Sequence, residues 1–145
     1  MAVVLGLVFW FVTSPPALAT ADEPIVTSTP VGQDVYLAVV AGDPDRSLKV
    51  AGVQVHVSAD VPVEVEPLLC IDGAPRVTSD PSTFCAGLVP PDGEVLDGGD
   101  TIVLRVRGDF AGTAAIDAVR VSYREGARWA TQTAGAAARV SMLGR

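Results

Sequence analysis

Val53-Gln54-Val55-His56-Val57-Ser58, followed two residues later by Val61-Pro62-Val63-Glu64-Val65-Glu66, decides the fold. In both stretches every second residue is valine. On an extended chain successive side chains point to opposite faces, so the valines share one apolar face and the residues between them lie on the other. A helix would scatter the same valines around its circumference. The period of two recurs at Val35, Leu37 and Val39, at Ile102, Leu104 and Val106, and at Val119, Val121 and Tyr123. Between the runs stand turn signals such as Gly42-Asp43-Pro44-Asp45 and Glu125-Gly126. Pro62 has no N–H to give a neighbour, which marks the second valine run as an edge strand.

Residues 128–133 return from the Glu125-Gly126 turn, and residues 138–143 close the chain. No amphipathic helix longer than a turn or two is evident. Seven or eight short strands with frequent turns predict an all-β chain, a single Ig-like β-sandwich over residues 34–145. A small barrel is the alternative. Residues 20–33 carry Pro24, Pro30 and Gly32 and are expected to form an extended entry, with a short edge strand at 25–27.

Ahead of the entry, residues 2–12 form an apolar run too short for a hydrocarbon core, which needs about 20 residues. Pro15 and Pro16 follow, then Ala17-Leu18-Ala19, whose small residues fit a signal-peptidase site. Residues 1–19 are therefore expected to be a signal peptide cut after Ala19. No Lys or Arg precedes the run: either the true start lies further upstream or the α-amino group alone supplies the charge. An uncleaved anchor or a buried strand is the other reading. The expectation is a secreted or envelope-associated domain with no stable membrane span after cleavage.

The chain has 145 residues and a net charge of −7, which disfavours nucleic acid and anionic membrane surfaces as partners. The charge is uneven. Residues 34–100 carry twelve acids against Arg46, Lys49 and Arg76, whereas residues 101–145 carry seven Arg against Asp109, Asp117 and Glu125. Arg105 and Arg107 share one face of their strand, and Arg120 and Arg124 share one face of theirs. If the two strands are neighbours, four guanidinium groups crowd one surface, a destabilising arrangement unless acids pair with them. Pairing with Glu64, Glu66 or Asp117 is one solution. An acidic partner, gripped by the bidentate arginine fork, is the other. Trp129 and Tyr123 flank the last turn. An aromatic there either covers the end of the sandwich or, exposed, stacks on a sugar or anchors a partner.

Cys70 and Cys85 are the only cysteines, and in an exported chain two cysteines are expected to form one bridge. His56 is the only histidine, too few for a blue-copper site, and no G-x-S-x-G motif is present. Asp43/Asp45, Asp92/Glu94 and Asp97/Asp100 could supply calcium oxygens, but Asp and Gly are also ordinary turn residues and no calcium-loop motif occurs. Neither a catalytic residue, a metal ligand nor a cofactor is assigned. Glu64 and Glu66, two apart on one strand face, read as a solvated or salt-bridged edge.

The stretch from Val89 to Leu104, with Gly98-Gly99-Asp100 ahead of an alternating strand and Gly112 in the following turn, resembles bacterial Ig-like domains. Residues 114–132, with Val119-Arg120-Val121-Ser122-Tyr123-Arg124-Glu125-Gly126, resemble the last hairpin of small secreted actinobacterial proteins. The resemblance covers the last third of the chain and implies a fold rather than an activity. The expected role is a non-enzymatic extracellular binding or structural module whose partner is a protein or a glycan. The alternative is a carbohydrate- or calcium-assisted ligand binder using the Asp-rich loops and Trp129.

Overall fold

The computed structural model describes residues 15–74 and 76–144; the apolar run at 2–12 lies outside the described residues. The strands are β1 (Ile25–Pro30), β2 (Val35–Ala41), β3 (Leu48–Gln54), β4 (Val57–Ala59), β5 (Val63–Ile71), β6 (Val77–Thr78), β7 (Gly87–Val89), β8 (Val95–Leu96), β9 (Thr101–Gly108), β10 (Gly112–Ile116), β11 (Val119–Glu125), β12 (Arg128–Ala134) and β13 (Ala138–Leu143). One 3₁₀ turn, Pro81–Thr83, is capped by the Asp80 carboxylate. Among the described residues no helix is long and apolar enough to cross a membrane.

The alternating runs fold as all-β, in more strands than the seven or eight expected. They build three sheets with orders β6-β2-β9-β5-β7, β12-β11-β3-β8 and β1-β13-β10-β4. The second and third are continuous in logic. The β10–β13 ladder runs up to Ile116↔Ala138, and the β11–β12 ladder resumes at Val119↔Ala134. On the other side Ile116 pairs Val57 and Arg120 pairs Gln54. Three long strands are thus each broken by a kink at about the same level, and each yields two short strands. Gly135 turns one of these kinks with φ 72°, a conformation costly for any other residue, and an added Cβ would strike the Val39 carbonyl.

One core joins all three sheets. Leu37 of β2, Ile102, Leu104 and Val106 of β9, Val50 of β3, Val121 and Tyr123 of β11, and Val140 of β13 are at most 1% exposed. Apart from Val50 and Val140, these are residues the period of two assigned to the inner face. Stacking the five-stranded sheet against the bent pair is a sandwich arrangement. β5 pairs β9 along most of its length but β7 only at Leu69–Ile71, so its first half is a sheet edge, as the proline at its start suggested. β1 adds to β13 in parallel, from Ile25↔Ala138 to Pro30↔Leu143.

A second, smaller cluster lies on the outer side of the five-stranded sheet. Leu68, Cys70 and Val103 are buried there with Tyr36, Ala38 and Leu88 packed on them. The Cys70–Cys85 disulfide, Cα–Cα 5.2 Å across 15 residues, closes the segment beside this cluster.

Residues 15–21 run along the domain as a strap. Gly135 donates to Ala19 O at 2.8 Å and accepts from Ala21 N at 3.0 Å. The Gln132 amide accepts from Leu18 N at 2.9 Å and donates to Pro15 O at 3.3 Å. Arg46 reaches Pro16 O and Ala17 O at 3.1 and 3.4 Å. Leu18 packs against the main core, while the side chains of Ala17 and Ala19 face solvent.

Candidate functional site: the outer face of the β3–β11–β12 sheet

The register of this sheet sets its outward side chains in three rows across the strands. Thr133, Arg120 and Gln54 form the first, Thr131, Ser122 and Gly52 the second, and Trp129, Arg124 and Lys49 the third. A bulge between Ser122 and Tyr123 keeps both outer rows in phase by placing Ala51 as the extra residue on β3. The middle row is low. Ser122 and Thr131 join their hydroxyls at 2.8 Å, and above Gly52 there is open space. The outer rows carry long side chains. The face is therefore a shallow trough crossing the strands, with a hydroxyl floor and cationic walls.

Trp129 is 64% exposed and lies against Arg124, whose guanidinium carbon is 5.6 Å from the ring centroid. Guanidinium over indole is a favourable pairing that ties the two side chains together. Of the two places open to an aromatic at this turn, Tyr123 fills the core and Trp129 the surface. Arg120, Arg124 and Lys49 find no carboxylate within ion-pairing reach among the described residues. At the Gly52 end the trough opens into a depression of about 390 Å³ bordered by Pro67, Pro90, Pro91 and Asp92. Beyond Arg120 a second depression, about 490 Å³, is lined by His56, Asp117, Gln54 and Thr133.

The four arginines singled out from the sequence do not meet. β9 lies between β2 and β5, whereas β11 lies between β12 and β3, in another sheet. The shared surface of Arg105, Arg107, Arg120 and Arg124 expected for neighbouring strands is therefore not formed, because pairing partners are set by long-range register that alternation leaves open. Arg105 instead contacts Glu66 at 2.6 Å and Asp34 at 3.6 Å, and Arg107 contacts Asp34 and Asp109 at 3.6 and 3.7 Å. Glu66 and Glu64 stand directly across from Arg105 and Arg107 in the ladder. One pair of arginines is matched internally; the other pair is not.

The Asp-rich loops are occupied with their own turns. Asp100, 9% exposed, accepts the backbone N–H groups of Asp72 and Asp97 at 3.0 and 3.1 Å. Asp43 accepts from Asp45 N, and Asp97 accepts from the Ser47 hydroxyl. No group of three His, Cys, Asp or Glu side chains gathers in metal-binding geometry among the described residues.

A cavity of about 480 Å³ lies between the strap and β2 and is lined mainly by Leu18, Val39, Val40, Leu48 and Leu96 with Arg46 at its border. Arg46 is bound to Glu125 by two hydrogen bonds of 2.9 Å. The arginine holds the Glu125 carboxyl below its usual range, with burial acting the other way. Tyr123 Oη is buried beside this pair without a well-formed hydrogen bond, and burial raises its phenol above the ordinary value while nearby Arg46 acts the other way.

Sequence reasoning identified Arg120, Arg124 and Trp129 but missed Lys49, Gly52, Gln54 and Thr131 as members of the same surface. The signal available was Gly52 itself, a glycine inside an otherwise good strand. Comparison with protein-family models, with characterised proteins and with solved structures finds no match.

Proposed function

We propose that this chain is an exported, non-enzymatic binding module, an Ig-like β-sandwich that presents the outer face of the β3–β11–β12 sheet to a partner outside the cell. The observation that carries the reading is the set of three cations, Arg120, Arg124 and Lys49, left without internal acids around a 64% exposed Trp129, in a chain of net charge −7. An acidic chain has carboxylates to spare for its arginines, as Arg105 and Arg107 illustrate. Leaving these three free keeps their hydrogen-bonding capacity for something else. Tryptophan and arginine are also the residue types that dominate binding energy when they sit together on a surface. The Cys70–Cys85 bridge and the Ala17-Leu18-Ala19 site support export.

The test has two parts. Intact mass of protein from the culture medium is expected to start at Thr20 and to carry the disulfide; a full-length, reduced protein held inside cells overturns the export reading. The secreted protein is then expected to co-sediment with insoluble cell-envelope material, and a Trp129→Ala, Arg120→Glu double variant with unchanged Tm is expected to stay in the supernatant. Equal sedimentation of the two proteins overturns the assignment of the face.

A further inference from the structure

We infer that the trough is a binding site for a linear anionic polysaccharide, a chain of sugars bearing carboxylates. The inference rests on the reading of this face as a binding surface and names what it binds.

Gly52 is the starting point. A glycine inside a strand weakens it, since it loses the most backbone freedom on folding and offers no side chain to its cross-strand neighbours. Such a glycine usually answers to a positive φ or to crowding. Neither applies: Gly52 is not among the positive-φ residues, and a Cβ added to it meets nothing within 4 Å. Gly52 adjoins the bulge at Ala51, and the free space above it also admits the close approach of something outside the chain. Ser122 and Thr131 continue the low floor with hydroxyls bonded to one another, each keeping further capacity to donate or accept.

The walls define the ligand. Alternate residues on a strand are about 6.6 Å apart, so each wall stands that far from the floor row. One wall offers Arg120 and Gln54, the other Trp129, Arg124 and Lys49. An exposed indole stacks on the apolar face of a pyranose ring, and hydroxyl and amide groups match sugar hydroxyls. Arginine forks on both sides match carboxylates spaced along a polymer. A peptide strand would add through its backbone to the free edge of β12, beside the trough rather than in it, and an acidic peptide is the competing occupant that poly-L-glutamate tests. The net charge of −7 opposes a polyanion at a distance. At physiological ionic strength charges beyond about 8 Å are screened, and locally Arg120, Arg124 and Lys49 outnumber Asp92 and Asp117, the acids at the two adjoining depressions.

The experiment titrates the purified full chain with polygalacturonate, with neutral dextran and with poly-L-glutamate, reading intrinsic tryptophan fluorescence and heat. Polygalacturonate is expected to bind, with dextran and poly-L-glutamate each about tenfold weaker or more. Gly52→Val is the decisive variant: its Tm is expected to hold or rise while polygalacturonate binding falls about tenfold or more. Ser122→Val fills the same floor from the neighbouring strand and serves if Gly52→Val does not fold. Arg120→Gln and Arg124→Gln are each expected to weaken binding severalfold. Unchanged binding in the folded floor variant overturns the trough. Equal binding of dextran overturns the carboxylate assignment, and equal binding of poly-L-glutamate makes the ligand an acidic protein. If none of the three polymers binds while envelope sedimentation still depends on Trp129 and Arg120, the polysaccharide inference fails and the binding-module reading stands. If sedimentation is lost as well, both fall.

Discussion

Arg105 and Arg120 look alike in the sequence, each an arginine between valine or leucine neighbours on an alternating strand. Their surroundings separate them. Arg105 faces Glu66 and Asp34, so Arg105→Glu sets three acids together and is expected to lower stability by about 1 kcal/mol, the scale of exposed pairs. Arg120→Glu is expected to leave urea unfolding unchanged, since no internal partner is lost. Equal losses in the two variants would contradict the pairing described above. A second pair of residues bears on pH. Glu125 is held below its ordinary value by Arg46, so its contribution is present in full above about pH 4.5 and lost as pH falls through the depressed value in the folded state. Glu125→Gln is accordingly expected to cost about 2 kcal/mol at pH 7, with the gap to the parent protein shrinking toward pH 3. Denaturant titrations at both pH values check the sign. Tyr123→Phe removes a buried hydroxyl without a well-formed hydrogen bond, and is expected to be neutral or to stabilise by up to about 1 kcal/mol. A clear loss of stability would show that this hydroxyl is satisfied in solution.

At the scale of elements, the strands that alternate over five or more residues were legible: β2, β9, β11 and the first half of β5 stand where the valines and leucines put them. Alternation reads one residue at a time and reports which face is dry. It does not report where a strand bends, so Val53 to Ser58, a single alternating run, is split at Val55 and His56 into β3 and β4. Nor does it see β6, β7 and β8, of two or three residues, which exist because longer strands offer them an edge. β1 was foreseen as an edge strand, yet the parallel register against β13 is a long-range choice absent from local pattern. The disulfide was legible from two cysteines and the export expected of residues 1–19; the small cluster of Leu68, Val103 and Tyr36 beside it was not. Replacing both Cys70 and Cys85 by Ala is expected to cost about 3 kcal/mol, the chain-entropy value for a 15-residue loop. Hydrogen exchange is expected to rise in β6 and β7 and to stay slow in β9 and β11. A uniform rise would mean that the bridge holds the whole sandwich rather than its outer segment.

For the whole molecule, the charge asymmetry read from the sequence resolves into a division between sheets. Asp34 and Glu66 from the first two thirds, with Asp109, neutralise the arginines of β9, and the arginines of β11 are left facing outward. The location of that surplus required the strand order, since only neighbours in a ladder can cancel one another. The strap carries a further consequence. Ala19 O and Ala21 N are both tied to Gly135, so the bond between Ala19 and Thr20 is fixed within a bridge while the domain is folded. A protease must draw its substrate into an extended, unpaired backbone. Cutting and folding therefore compete for the same three residues, and whichever comes first forecloses the other. A chain cut early never forms the clamp on residues 15–19; a chain folded early hides the bond inside it. Under the proposed export, the mass of the protein is in that sense a clock, recording which of two events its N-terminus met first.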